Sequence, residues 1–291
     1  MIPKEYLKQI RQVEIRTRRL AEDYLAGAYR SVFKGRGLDF EDVRAYVAGD
    51  DVRFIDWNVT ARMHAPHVRE FTEERELSVI LVVDVSASGE FASGERSKRE
   101  LAAEAAACLA FSAVANGDKV GLLLFSSRVE KFLPARKGRL QALRVIRDVL
   151  YHRPLHRGTA LRQALNFLNE VQTRRAIVFL LSDFLDEGFE RALKAAGQRH
   201  DLIPLVLRDP REETLPDAGL LVVGDAETGE CAEIDTGSPE IRAEFFRRAQ
   251  VRRAELKRRF LRIGTDTIEL STDQPFHQPI QRYMERRMNF R

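Results

Sequence analysis

One segment, Leu77 to Ser88, constrains the fold of this chain more than any other. Its apolar run, interrupted only by Ser78, ends abruptly in Asp84, Ser86 and Ser88. A strand that is hydrophobic on both faces belongs in the interior of a parallel sheet, and open α/β sheets place ligands at the carboxyl ends of such strands. One carboxylate and two hydroxyls at i, i+2 and i+4 therefore arrive together at a ligand-binding edge. Oxygen donors of this kind suit a hard divalent cation. Mg²⁺ prefers near-octahedral oxygen coordination and keeps several waters, which leaves a position open for an outside ligand. The competing reading is local: Asp-x-Ser-x-Ser after a strand also forms Asx or Ser turns that cap the next helix.

The rest of the chain supplies the sheet that this strand needs. Beyond Glu76 apolar strands alternate with helices of ten or more residues. Strands are expected at Leu77 to Asp84, Lys119 to Phe125, Ala176 to Ser182, Leu202 to Leu207 and Asp266 to Leu270. Val129 to Leu133 reads as an antiparallel edge strand, and Leu220 to Val223 and Glu230 to Asp235 as weaker strands. The helices fall at Ser97 to Asn116, Arg139 to Leu150, Ala160 to Val171, Phe189 to Arg199, Pro239 to Arg262 and Gln278 to Met288. This alternation predicts an α/β fold, a doubly wound, mostly parallel sheet flanked by helices.

Residues 1–76 read differently. An amphipathic helix from Lys4 to Ala26 stops at Gly27. Short extended pieces follow, broken by Gly35, Gly37, Gly49, Asp50 and Asp51. The expected division is a small irregular amino-terminal module, 1–76, followed by the α/β domain, 77–291. Trp57, the sole tryptophan, is expected with Ile55 to pack the module onto the sheet. Asp50, Asp51 and Asp56 with Arg44, Arg53 and Arg62 are placed to form a salt-bridge network that fixes irregular backbone.

Length and composition narrow the function classes. A chain of 291 residues buries a core without staples, and Cys108 and Cys231 stand apart, outside any metal-ligand spacing, as reduced thiols of a cytoplasmic protein do. No stretch approaches the eighteen or so apolar residues of a membrane span, and the amino-terminal sequence lacks a signal-peptide core. Forty-eight basic residues against 44 acidic ones leave a net charge of +4, too small to imply nucleic acid. The positive charge is concentrated. Nine basic residues face four acidic ones in 1–37, and nine face three in the helix from Pro239 to Arg262. Such helices are either solvated faces or docking surfaces for an acidic partner.

Two further loops join Asp84 at the same sheet edge. Gly158, Thr159 and Ala160 form a loop-to-helix junction where Thr159 is equally an N-cap, and Asp183 closes the strand AIVFLLSD. The series DVSAS, then GT before a helix, then an apolar strand ending in SD, resembles the metal-ion-dependent adhesion site (MIDAS) of von Willebrand factor A domains. In that family the serines bind the metal directly, the threonine binds directly or through water, and the aspartates do either. The resemblance, which covers about Leu77 to Leu270, implies Mg²⁺ or Mn²⁺ held by Asp84, Ser86, Ser88, Thr159 and Asp183, with an acidic residue of a partner protein completing the shell.

The upstream stretch narrows the family. Gly35, Arg36 and Gly37; Asp50, Asp51, Val52 and Arg53; Ile55, Asp56 and Trp57; Thr60, Ala61 and Arg62; and Glu73, Glu74, Arg75 and Glu76 occur in order. This stretch resembles the bacterial family known as domain of unknown function 58, in which it precedes a von Willebrand-like domain. That resemblance implies a partnership with a MoxR-type AAA+ ATPase in the chaperone-like assembly or maturation of other proteins.

Other chemistries find less support. His64 and His67 flank Pro66, which disfavours a helix, and no third zinc ligand lies near them. His152 and His156 precede Thr159 and are expected to be surface histidines bordering the site. The loop after the first strand carries neither a Walker pattern nor G-x-G-x-x-G, and no nucleophile elbow surrounds Ser86 or Ser88. A metal-assisted phosphohydrolase would need His152 or His156 as its base. Nucleic-acid binding would rest on the basic helices, yet Phe245, Phe246 and Phe260 are spaced nearer to a core-facing stripe than to a stacking platform.

Overall fold

The apolar runs assemble as one six-stranded sheet in a computed structural model that describes residues 4–33, 39–72 and 77–289. The strands are β3 (Ser78–Asp84), β4 (Lys119–Phe125), β5 (Val129–Arg136), β6 (Ile177–Ser182), β7 (Asp201–Arg208) and β10 (Ile268–Ser271), in the order β10-β7-β6-β3-β4-β5. Every pairing is parallel except that of the edge strand β5 with β4, as the sequence pattern predicts. In β3 the residues Val79, Leu81 and Val83 face one core, and Ile80 and Val82 the other. Period-two alternation of apolar side chains on both faces is why this strand is central. Gly121 in β4 belongs to the same packing, because a Cβ there would stand 2.8 Å from Ile80 Cδ1 and 2.9 Å from the Leu133 carbonyl oxygen.

Helices cover both faces. On one side lie α1 (Lys4–Leu20), α2 (Ala26–Phe33), α4 (Lys98–Ala115), α5 (Arg139–Tyr151) and α9 (His277–Asn289). On the other lie α6 (Leu161–Val171), α7 (Glu190–Arg199) and the end of α8 (Pro239–Ile263). The α4 helix is apolar around most of its circumference because the sheet, α1 and α5 enclose it. Its many alanines favour helix and let these neighbours approach closely. A capping box between Ser97 and Glu100 fixes its start, and Asn116 with left-handed Gly117 ends it.

Several expectations for the amino-terminal region are corrected. Gly27 does not end the first helix; the chain passes through a π-helical turn, Ala21–Leu25, and continues as α2 to Phe33. Burial overrides glycine's weak propensity here, since Leu25, Tyr29, Val32 and Phe33 enter the same core as β3 and α4. Trp57 opens a short helix, α3 (Trp57–Met63), and is 70% exposed, so it does not pack the module onto the sheet. The expected salt-bridge network resolves, among the described residues, into three separate pairs, one with a changed partner. Arg44 grips Asp50 with two bonds of 2.8 Å and Arg53 pairs with Asp51, whereas Asp56 caps α3 and binds Arg69, not Arg62. The antiparallel pair β1 (Asp39–Ala45) and β2 (His67–Thr72), with α3 between them in the chain, completes this region. Lys34 to Gly37 and Glu73 to Glu76, which carry part of the family resemblance, lie outside the described residues.

The weaker strand pair forms β8 (Leu220–Gly224) and β9 (Cys231–Asp235), an antiparallel hairpin separate from the main sheet. Cys108 is buried and Cys231 exposed, both as free thiols. Among the described residues no helix is long and apolar enough to cross a membrane.

Candidate metal centre

Parallel pairing of β3 with β6 puts the ends of both strands side by side, so Asp84 and the Ser182-Asp183 pair share one edge. Asp84 is buried. Its Oδ1 accepts the Ser86 amide at 3.0 Å, and its Oδ2 accepts the Ser182 hydroxyl at 2.7 Å. The Ser86 hydroxyl meets Ser88 Oγ at 3.1 Å. Neither serine caps the following helix by its side chain; Ser97 does that for α4. The capping alternative for the DVSAS hydroxyls therefore fails, although Asp84 itself does make the Asx contact.

The second loop is clipped to the first. The Ala87 amide donates to the Arg157 carbonyl at 2.9 Å, which brings Thr159 to the same edge. Thr159 is not the N-cap of α6. Ala160 holds that position, and the Leu161 amide donates to Asp186 Oδ2 at 2.8 Å. The Thr159 hydroxyl instead donates to Glu227 Oε1 at 2.9 Å. His152 and His156 border this loop at Glu130: His152 Nε2 stands 3.5 Å from Glu130 Oε2, and the His156 amide donates to Glu130 Oε1 at 3.3 Å.

Asp183 is turned toward a buried ammonium. Phe184, the residue after it, has φ 57°, a left-handed conformation that a bulky side chain adopts only where packing imposes it. Its ring is held edge-on to Phe260 at 5.1 Å and tilted against Phe189 at 5.6 Å. Asp183 Oδ2 then accepts Lys98 Nζ at 2.8 Å, and Lys98 Nζ also reaches Glu212 Oε1 at 2.5 Å. The Lys98 side chain is only 1% exposed. Burial opposes its charge, but Asp183 and Glu212 outweigh that, so its pKa rises above the ordinary lysine value. Burial likewise pushes the Glu212 carboxyl up against the pull of Lys98.

The electrostatics of Asp84 are unusual for a carboxylate. Burial, reinforced by the charge of Asp183, pushes its pKa up to about 7, against the hydrogen bonds from Ser182 and Ser86. Glu227 is also pushed up, by burial and by Asp183, Asp225 and Asp186, with the Thr159 hydroxyl opposing. The sheet edge thus concentrates negative charge that Lys98 balances only at Asp183 and Glu212.

The donor set fits a hard cation. Cis oxygens around Mg²⁺ at 2.0–2.1 Å lie about 3 Å apart, the spacing of the two serine hydroxyls. Asp84 would supply negative charge beside them, and Thr159 keeps lone pairs while its proton goes to Glu227. Asp183 departs from the simple pattern because Lys98 occupies one of its oxygens. Among the described residues no three His, Cys, Asp or Glu side chains converge as a metal site, so any cation here relies on hydroxyls.

The residues missed by sequence reasoning are Lys98, Ser182, Glu212 and Glu227. Ser182 alone carried a signal, as the serine of the SD that ends β6.

The basic helix α8 is laced with ion pairs. Arg247 and Arg248 bind Glu244, Arg253 binds Glu269 and Arg242 faces Asp217. Phe260 is buried, while Phe246 is 46% exposed, so the expected core-facing stripe holds at Phe260 and not at Phe246.

An α/β protein with a mostly parallel sheet and a hydroxyl-carboxylate cluster at its carboxyl edge is the class these features define. Residues 42–255 match the family described as "Protein of unknown function DUF58", and the chain belongs to that family. An uncharacterized protein of Mycobacterium tuberculosis is 34% identical over 281 residues, which cover 96% of this chain and 88% of that protein. One from Mycobacterium avium is 31% identical over 158 residues, covering 53% of this chain and 93% of its own length. Among solved structures, the conserved hypothetical protein BatB from Bacteroides thetaiotaomicron is 18% identical with a TM-score of 0.46, covering 73% of this chain and 99% of that one. The SpRpn10 VWA domain is 7% identical with a TM-score of 0.39, covering 71% and 94%.

Proposed function

We propose that this chain is a cytoplasmic, metal-dependent protein-interaction adaptor and not an enzyme. Asp84, Ser86, Ser88, Thr159 and Asp183 bind Mg²⁺ or Mn²⁺ at the sheet edge, and an acidic side chain of a partner protein joins the shell. The partner is a MoxR-type AAA+ ATPase, with which the chain acts in the assembly or maturation of other proteins.

The observation that supports this most is the pair of serine hydroxyls 3.1 Å apart beside a buried Asp84 whose ionisation is costly without a cation. A partner carboxylate on a bound cation is held far more strongly than in an exposed salt bridge. The hydrolase alternative lacks this support, because His152 faces Glu130 and not the serines. The ion pairs along α8 likewise leave less of its charge for a nucleic-acid backbone.

Calorimetric titration of Mg²⁺ into wild type and Asp84→Ala tests the metal. Uptake is expected in the first and its loss in the second; equal heats in both would sink the reading. Co-purification with the ATPase is expected to fall when a chelator is added, and retention in chelator would remove the cation from the partnership.

A further inference from the structure

The β8–β9 hairpin brings a carboxylate from 68 residues away onto a predicted metal ligand. Its strands pair with each other apart from the six-stranded sheet and are largely exposed. Its turn is nevertheless rigidly organised. Asp225 Oδ1 accepts the Glu227 amide at 2.8 Å and the Thr228 amide at 3.0 Å, while the Asp225 amide donates to the Glu230 carbonyl at 2.8 Å. This Asx-type turn fixes the direction of the residue at its tip, Glu227.

That residue points inward. Glu227 Oε1 accepts the Thr159 hydroxyl at 2.9 Å, and Oε2 lies 3.6 Å from where a Cβ on Gly158 would stand, so the carboxylate covers the Gly158-Thr159 loop. A carboxylate that accepts the proton of a ligand hydroxyl lies in the shell next to the cation that hydroxyl would bind, and it reaches the cation itself by exchanging that hydrogen bond for a direct contact. Ser86 Oγ, on a residue 1% exposed, meets Ser88 Oγ at the same edge. Octahedral coordination by a few protein oxygens leaves a position open.

We propose that Glu227 is this chain's own acidic ligand for the cation site. With Mg²⁺ bound, the Glu227 carboxylate leaves the Thr159 hydroxyl and moves onto the open position, a convergence that the cation-free arrangement of the described residues does not show, and the hairpin closes over the site. A partner's acidic side chain then gains the cation only by displacing Glu227. The inference rests on the metal reading above and adds to it the identity of the resident carboxylate. The mostly exposed strands allow the hairpin to lift without disturbing the main sheet.

The test uses the full chain with Mg²⁺ alone as the probe, on wild type, Glu227→Gln and Asp84→Ala. Glu227 sits on an exposed hairpin, so the glutamine variant retains the fold. Calorimetry is expected to show Mg²⁺ binding by wild type, weakened at least about tenfold in Glu227→Gln. Amide hydrogen exchange is expected to show that Mg²⁺ protects 220–235 in wild type and not in Glu227→Gln. Equal Mg²⁺ affinity and equal protection in these two proteins would overturn the Glu227 assignment while leaving the metal site intact. Mg²⁺ uptake by wild type no different from that of Asp84→Ala would overturn the metal reading and the assignment with it.

Discussion

The two ends of the central sheet bury polar groups in opposite ways. At the amino end the polar groups are matched. Asp118, in the turn before β4, accepts the Tyr29 hydroxyl at 2.8 Å and the Leu77 amide at 2.9 Å, and Asp201 at the start of β7 holds Arg287 at 2.6 Å. Burial, with Asp118, pushes the Tyr29 phenol well above its ordinary range, so it stays a neutral donor. At the carboxyl end Asp84, Asp183, Glu212 and Glu227 gather with Lys98, and the hydroxyls of Ser86 and Ser88 face one another beside Asp84. The first arrangement ties α2 and α9 to the strands. The second holds unbalanced charge in place, which is how sites that bind something else are built.

The largest expected effect tests whether Lys98 is the counter-ion that makes the carboxyl end tolerable. Lys98→Met leaves Asp183 and Glu212 without their ammonium, and breaking a buried ion pair from one side costs about 3–5 kcal/mol. Urea unfolding in chelator is expected to show a loss of that order. Added Mg²⁺ should restore part of it, because a cation nearby compensates the same carboxylates. A loss that Mg²⁺ leaves untouched would make Lys98 a purely structural pair, like those at the other end.

A smaller pair of effects sets one aspartate against the other. Asp118→Ala strands the Tyr29 hydroxyl and the Leu77 amide and is expected to destabilise by about 3 kcal/mol. Asp84→Asn removes a buried charge while keeping the side chain's shape, and in chelator it is expected to stabilise by about 1 kcal/mol. Denaturant midpoints of the two variants measured side by side decide this. Destabilisation by both would mean that Asp84 serves the fold and not a ligand.

The same contrast explains what could be read in advance. The strands were legible because β3, β4, β6 and β7 are buried on both faces and carry apolar runs interrupted only by Gly121 and Pro204. Asp84, Ser86, Ser88, Thr159 and Asp183 were legible as candidates because the two aspartates stand at the ends of apolar strands, the two serines follow the first of them, and Thr159 lies in the loop just before a helix. Their partners were not. Lys98 lies in the first turn of α4 within SKRE, where a lysine ordinarily points to solvent; only the left-handed turn at Phe184 and the loop carrying Glu212 bring carboxylates to it. Glu227 sits in an exposed hairpin of weak pattern, 68 residues from Thr159, and no local rule links the two. Trp57 misled through a residue-type average: tryptophan is usually well buried, yet here it starts a short exposed helix.

The smallest effect concerns a place where the amino end is not fully matched. His200, at the C-terminus of α7, is buried, and neither ring nitrogen finds a hydrogen-bond partner among the described residues. Burial, then the charges of Arg199 and Arg175, lowers its pKa below the ordinary histidine value. The folded protein therefore keeps His200 neutral, while the unfolded chain binds a proton below about pH 6.5. Stability from this residue is present above that pH and is lost as the pH falls through 6.5 toward the folded value, bounded by one proton per molecule. His200→Phe keeps a flat ring and removes the titration, so its stability between pH 7 and 5 should fall less steeply than that of wild type. Parallel slopes would mean that His200 meets water or a partner that accepts its charge. The amino end would then also hold a polar group set up for binding, and the contrast between the two ends would narrow.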